Sequence, residues 1–256
     1  MKIESYVISG PGKQRTANQD NYYLNGTVNG QYRQEPFSSA AGEAEEKAFF
    51  AIADGMGGEN FGEEAAFIAV RGLREMKDFC PPNVTAYLLE RNLEICELMK
   101  NRGNVRIGTT FVSVSIDGGT ACVTNIGDSR AYRYREGTGL RQLSCDHTFT
   151  AALAERGILS KEEARKAKGG HALTQHLGIF PEELKLEPYR WQEPALPGDM
   201  FLLCSDGLTD MLEEKIIAEI LSDPETGMRE KAGRLYRAAN ENGGVDNITV
   251  LIVYLS

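Results

Sequence analysis

The chain has 256 residues, 41% of them apolar and 25% charged, a composition able to bury a sizeable core in a soluble globular protein. Against 28 Lys and Arg stand 37 Asp and Glu, a net charge of −9 without any basic block, which argues against nucleic acid as a ligand. No apolar run is long enough to span a bilayer, MKIESYVISGPG carries no signal-peptide core, and the five cysteines include no Cys-x-x-Cys pair. A cytoplasmic, monomeric chain without membrane contact is expected, its thiols reduced and bound neither as disulfides nor to zinc.

Strands are predicted at SYVIS (5–9), DNYYLN (20–25) and AFFAIA (48–53). After the DGMGG turn, Ala66, Ala69, Val70 and Leu73 share one helical face, and Phe61-Gly62-Glu63-Glu64 places acids at that helix's start, where the dipole favours them. A second helix over 83–100 begins on a capping Asn83 and aligns Val84, Leu88, Ile95 and Met99. A β-rich block follows: TTFVSVSID (109–117), TACVTNIG (120–127), SRAYRYR (129–135) and GLRQLS (139–144). Its short Asp-Gly-Gly and Gly-Asp turns predict consecutive antiparallel hairpins. The polar stretch at about 145–183, which includes KEEARKAKGG, reads as an exposed lid or flap. LKLEPYRWQ (184–192), DMFLLCS (199–205) and NITVLIVYL (247–255) supply the remaining strands, with helices at 208–221 and 226–239. This order is not βαβ alternation. It predicts a single α+β domain over 1–256, a mainly antiparallel sandwich with both terminal strands stitched into its sheets.

FFAIADGMGG (49–58) runs an apolar strand straight into Asp54 and then glycine. The pattern recurs. Asp128 follows ACVTNIG and Asp206 follows MFLLCS, whereas Asp20 and Asp246 lie just before NYYLN and NITVLIVYL. In antiparallel neighbours the end of one strand lies beside the start of the next, so these aspartates can gather at one rim. A single Asp-Gly reads as a turn; the repetition beside apolar strands points to a site. Gathered carboxylates repel one another unless cations neutralise them, and an all-oxygen set favours Mg2+ or Mn2+ over zinc. Two such ions roughly 3.5–4 Å apart would share a carboxylate and a water, making that water a nucleophile near neutral pH. Gly55 is expected to leave its carbonyl exposed, with Gly57 and Gly58 allowing a tight turn. Arg15 in RTANQD offers paired donors that match a phosphoryl group.

RTANQD (15–20), DGMGG (54–58), GTT (108–110), GDSRAY (127–132), LTQHLG (173–178), SDGLTD (205–210) and DNITVLIV (246–253) together resemble the metal-dependent protein phosphatase family, the type 2C protein serine/threonine phosphatases, in compact bacterial form. The motifs stand in the family's order and span nearly the whole chain. The resemblance implies a four-layer αββα sandwich of two mainly antiparallel sheets. It also implies hydrolysis of phosphoserine and phosphothreonine in proteins by a hydroxide bridging two Mn2+ or Mg2+ ions, without a phosphoenzyme. Asp54 would bridge the metals, Gly55 would lend its carbonyl, and Asp206 and Asp246 would complete one ion's shell. Asp20 would act largely through metal-bound water, Asp128 would help hold a third ion near the flap, and Arg15 would hold phosphate. An opposing Ser/Thr kinase is the implied partner. The sequence departs from many eukaryotic members at Gln19, where they carry a glutamate ligand, and at Met56, where they carry a histidine proposed to protonate the leaving alkoxide.

Rival constellations are weaker. Cys96 and Arg102 meet the Cys-x5-Arg spacing of cysteine phosphatases, but CELMK continues an amphipathic helix instead of forming an anion-cradling loop. Cys204 reads as core, and His171 and His176 as solvated or locally bonded residues, with substrate contact the alternative. GxSxG and Walker-A patterns are absent. The non-enzymatic alternative is a pseudophosphatase serving as a protein-binding module.

Overall fold

Strands as apolar as FFAIA and FLLC have no face to offer water, so each must lie between two covering layers. The computed structural model describes residues 1–30, 37–57, 61–103, 105–160, 163 and 172–256. Its strands are β1 (Lys2–Gly10), β2 (Asn21–Leu24), β3 (Thr27–Val28), β4 (Ser38–Glu45), β5 (Lys47–Ala53), β6 (Gly55–Met56), β7 (Gly108–Thr109), β8 (Phe111–Asp117), β9 (Thr120–Ile126), β10 (Arg130–Arg135), β11 (Gly139–Gln142), β12 (Tyr189–Pro194), β13 (Met200–Cys204) and β14 (Ile248–Leu255). Its helices are α1 (Gly62–Arg71), α2 (Pro81–Asn101), α3 (Phe149–Glu155), α4 (Asp206–Thr209), α5 (Glu214–Ser222) and α6 (Met228–Glu241). One six-stranded sheet runs β11-β10-β13-β14-β1-β4, the other β12-β9-β8-β5-β2-β3, and β6–β7 form a small pair. The paired strands are antiparallel throughout.

The period of two decides which layer each side chain meets. Along β5, Ala48, Phe50 and Ile52 enter the core between the sheets, while Phe49, Ala51 and Ala53 pack under α1 and α2. Along β13, Phe201 and Leu203 face the other sheet, while Met200, Leu202 and Cys204 pack under α5 and α6. β14 divides likewise, with Leu251 and Val253 inward and Val250 and Ile252 outward. The result is the expected αββα sandwich. No helix among the described residues is long and apolar enough to cross a membrane.

Several boundaries differ from the sequence reading. β4 has no predicted counterpart, because SSAAGEAE carries no large apolar side chain and pairs only with β1 at a sheet edge. LKLE is not strand: the Leu184 N–H donates to the Phe180 carbonyl in a turn, and β12 starts at Tyr189. The single helix predicted over 208–221 is two, α4 and α5, broken where Glu213 adopts an extended backbone. Asn83 does not cap α2, which starts at Pro81, a residue suited to the first turn; Asn83 Nδ2 instead donates to Asp78 Oδ2 at 2.9 Å. Within 145–183, a bridge from Thr148 to Leu173 joins the start of α3 to the later part of the segment, and a bridge from Thr109 to Leu177 ties that part to the body. Gly58, His171 and KEEARKAKGG apart from Glu163 lie outside the described residues.

This layering predicts a contrast in stability. Leu251→Ala, between the sheets, is expected to cost about 2–5 kcal/mol in urea unfolding. Leu89→Ala, on the exposed side of α2, is expected to cost less than about 0.5 kcal/mol. Equal losses would contradict the assigned core.

Candidate active site

Strand register alone builds one acidic rim. Asn21 pairs with Ala53, so Asp20, just before β2, meets Asp54, just after β5. Cys204 pairs with Val250, which brings Asp206 to the Asp246-Asn247 turn ahead of β14. The chain crosses from one sheet to the other through Gly127-Asp128-Ser129, between β9 and β10, and Arg130 pairs with Cys204. Asp54 accordingly feels the charges of Asp20, Asp206, Asp128 and Asp246. The five predicted aspartates are neighbours.

Short hydroxyl side chains fix them in place. Asp20 is 1% exposed. Its Oδ2 accepts from Thr249 Oγ1 at 2.7 Å and from Ser205 Oγ at 2.8 Å, so a residue of one sheet is held by residues of the other. Asn18 extends this network: its Oδ1 accepts the Asp20 N–H at 3.2 Å, and its Nδ2 donates to Ser9 Oγ at 2.8 Å. Across the rim, Thr110 Oγ1 accepts the Asp54 N–H at 3.1 Å and shares a 2.7 Å hydrogen bond with Ser129 Oγ, while Thr109 Oγ1 donates to the Asp54 carbonyl at 2.8 Å. The GTT and GDSR segments thereby clamp the turn that carries Asp54.

Two glycines allow backbone to approach backbone. A Cβ on Gly55 would lie 2.2 Å from the Gly62 carbonyl oxygen and 2.6 Å from that of Gln19. Gly55 is buried, and its lack of a side chain permits this contact with the start of α1. A Cβ on Gly207 would lie 2.0 Å from the Asn247 carbonyl oxygen. Asn247 holds the loop that precedes β2, accepting the Gln19 N–H at 2.8 Å and donating to the Ala17 carbonyl at 2.8 Å. On that loop Arg15 reaches Asp246 Oδ2 at 2.9 Å, its side chain 55% exposed.

The electrostatic consequence is a rim that resists full ionisation. Burial pushes Asp20 up to about 7, against the hydrogen bonds from Thr249 and Ser205, with Asp206 and Asp246 adding repulsion. Burial first, then neighbouring carboxylates, raise Asp54 and Asp128 well above the ordinary range. Asp20 Oδ1 is buried and has no hydrogen-bond partner among the described residues. Yet among those residues no three His, Cys, Asp or Glu side chains form a ready cage around one point. The two facts are compatible, because hard cations that keep several waters need few protein oxygens each. All-oxygen donors, an orphaned carboxylate oxygen and mutual repulsion fit Mg2+ or Mn2+.

The sequence matches the family model described as protein phosphatase 2C over residues 27–243. The chain belongs to the protein phosphatase 2C family. The serine/threonine phosphatase Stp of Listeria monocytogenes is 36% identical over 212 residues, 79% of this chain and 82% of the relative. The protein phosphatase PhpP of Streptococcus pneumoniae is 31% identical, covering 99% of this chain and 98% of the relative. The crystal structure of the Mycobacterium tuberculosis serine/threonine phosphatase PstP superposes with a TM-score of 0.81 at 28% identity, covering 100% of both chains. A PstP catalytic domain solved with 2 manganese ions superposes with a TM-score of 0.77 at 28% identity, covering 100% of this chain and 99% of that one. This protein phosphatase 2C member is a protein serine/threonine phosphatase.

Residues the sequence reading did not single out carry much of this phosphatase's rim: Asn18, Ser205, Asn247 and Thr249. Their signal was present, since all four fall inside the RTANQD, SDGLTD and DNITVLIV motifs. Gln19 Nε2 lies 3.4 Å from Glu63 Oε2 on α1. His176 is locally bonded, its Nδ1 2.8 Å from the Leu177 carbonyl. The cysteine route finds no site: Cys96 is buried in α2 with its thiol pushed up to about 11 by burial, and Arg102 is engaged with Glu64 at 2.8 Å.

The raised Asp20 gives a signed pH dependence. Its folded value of about 7 exceeds the ordinary 3.8, so between them the folded chain keeps a proton that the unfolded chain has released. That stabilisation is complete below about pH 3.8 and disappears as the pH rises through about 7. With chelator present, Asp20→Asn is expected to melt progressively higher than the unaltered chain as the pH rises, by roughly 2–4 °C per kcal/mol of linkage. A gap that does not vary with pH would contradict this.

Proposed function

We propose that this phosphatase hydrolyses phosphoserine and phosphothreonine with two Mn2+ or Mg2+ ions held through Asp54, the Gly55 carbonyl, Asp206 and Asp246, and without a covalent phosphoenzyme. The observation that carries this reading is the setting of Asp54, a carboxylate pressed upon by four other aspartates, with burial acting in the same direction. Asp20 has one oxygen committed to Ser205 and Thr249, which suits it to act through water. Asp128, on the crossing between sheets, is assigned to a third ion. Gln19 supplies no carboxylate, so more of the second ion's shell is left to water. When bound, the ions supply Lewis acidity toward phosphoryl oxygen and toward the water that becomes the nucleophile.

The remaining roles belong to the chain. Arg15 sits on a loop clamped by Asn247, beside Asp246, where its planar donors can turn to a phosphoryl group. Two candidate nucleophiles at the end of β13 are engaged or unreactive. Ser205 Oγ donates to Asp20, and burial pushes the Cys204 thiol up to about 12. In this reading water is the nucleophile, in line with the departing seryl or threonyl oxygen. Met56 has no proton to give, so the departing alkoxide takes its proton from water or another group. An opposing protein kinase, a monomeric state and a cytoplasmic location complete the proposal.

Aryl phosphate turnover is expected to vanish with chelator, return with Mn2+ and survive iodoacetamide; the reverse pattern would favour a cysteine nucleophile. Asp54→Asn should lower kcat/KM by more than ~10²-fold, as for other losses of transition-state charge stabilisation. Arg15→Ala should raise KM by about 10- to 100-fold with kcat nearly unchanged, matching a charge-assisted hydrogen bond of ~1.5–3 kcal/mol. Loss confined to kcat in steady-state kinetics would reassign Arg15.

A further inference from the structure

Beside the carboxylate rim opens a cavity of about 300 Å³, lined by Met56, Arg106, Ile107, His176 and Ile179 with glycine backbone between them. It adjoins the turn that carries Asp54 and Gly55, since Met56 follows them directly and pairs with Gly108 in the β6–β7 ladder. Glycine at 108 is what lets the far wall approach: a Cβ there would lie 2.5 Å from the Leu177 carbonyl oxygen and 2.6 Å from His176 Nδ1. The Thr109–Leu177 bridge fastens that wall to the turn.

The chemistry of the lining is apolar with one acceptor. Met56, Ile107 and Ile179 supply hydrocarbon. His176 Nδ1 lies 2.8 Å from the Leu177 carbonyl, which can only accept, so in the neutral ring Nδ1 carries the proton and Nε2 is the acceptor. Arg106 is already answered by Glu183, which accepts two hydrogen bonds from it at 2.8 and 2.5 Å. The mouth therefore has little uncompensated charge with which to select an acid. About 300 Å³ is the lower end of ligand-pocket sizes, enough for one amino-acid side chain and too small for a second folded element.

We propose that this cavity is a subsite for an aliphatic side chain flanking the phosphorylated residue of the substrate protein, with His176 Nε2 accepting an N–H of that extended segment. The proposal rests on the metal-dependent phosphatase reading above: with the phosphoryl group at the aspartates, the neighbouring side chain of the substrate meets Met56. Burying one leucine there corresponds to a preference of roughly 10- to 100-fold in kcat/KM.

The test uses phosphothreonine peptides that differ only by Leu, Gly or Glu at each flanking position, with the whole chain and Mn2+. Leu is expected to exceed Gly by about 10- to 100-fold at one flanking position, with Glu no better than Gly. Ile179→Trp, which fills the cavity, should bring the Leu-to-Gly ratio to about one. Should that variant not fold, Ile179→Ala, which enlarges the cavity, should shift the preference from Leu toward Phe. Equal kcat/KM for the three residues at every position, or a preference for Glu, while aryl phosphate turnover stays Mn2+-dependent, overturns the subsite and leaves the phosphatase reading standing. Absence of Mn2+-dependent aryl phosphate turnover overturns that reading, and the subsite with it.

Discussion

Repulsion among like charges is the constraint around which this molecule is arranged. Two carboxylates about 4 Å apart oppose each other by ~4 kcal/mol at an effective dielectric near 20, and here five aspartates share one rim. A fold driven only by burial would scatter them. Their retention at a single edge makes the rim a standing demand for cations, answered in part by Arg15 on Asp246 and otherwise by retained protons. A surface ion pair such as Arg15–Asp246 contributes little to stability, so it can be exchanged readily.

The sandwich makes that gathering possible. Because both sheets are covered on both faces, their strands are held without slippage, and a one-residue slip would turn Phe50 and Ile52 out of the inter-sheet core. Fixed register places Asp20 against Asp54 and Asp206 against the start of β14. The hydroxyls of Ser9, Ser205 and Thr249, with Asn18 and one oxygen of Asp20, then join the two sheets at the rim in a buried hydrogen-bond network. Packing sets the positions, and the polar network preserves them.

The cavity beside Met56 and the rim are two outcomes of the same local geometry. Gly55 and Gly108 let neighbouring segments approach to distances that a Cβ would forbid, which narrows the turn around Asp54 and shapes the adjoining space. Met56 contributes hydrocarbon to that space. The same turn thus carries Asp54 and an apolar wall.

The β-strands and the aspartates were legible in the sequence because both depend on local order: apolar alternation marks a strand, and a carboxylate at its end interrupts that pattern. The edge strand β4 was not, since its Ser, Ala and Gly residues carry no such contrast and its pairing with β1 is distant in the chain. Nor was the break between α4 and α5, where apolar spacing runs on through Glu213 although the backbone does not. The family and the acidic set followed from the sequence by itself. Tertiary structure alone decided that Ser205 and Thr249 hold Asp20, that Asn247 clamps the loop of Arg15, and that Ile107, His176 and Ile179 enclose one space beside Met56. Those contacts join residues far apart along the chain, and a linear pattern records what each residue can do but not which others folding brings within hydrogen-bonding reach.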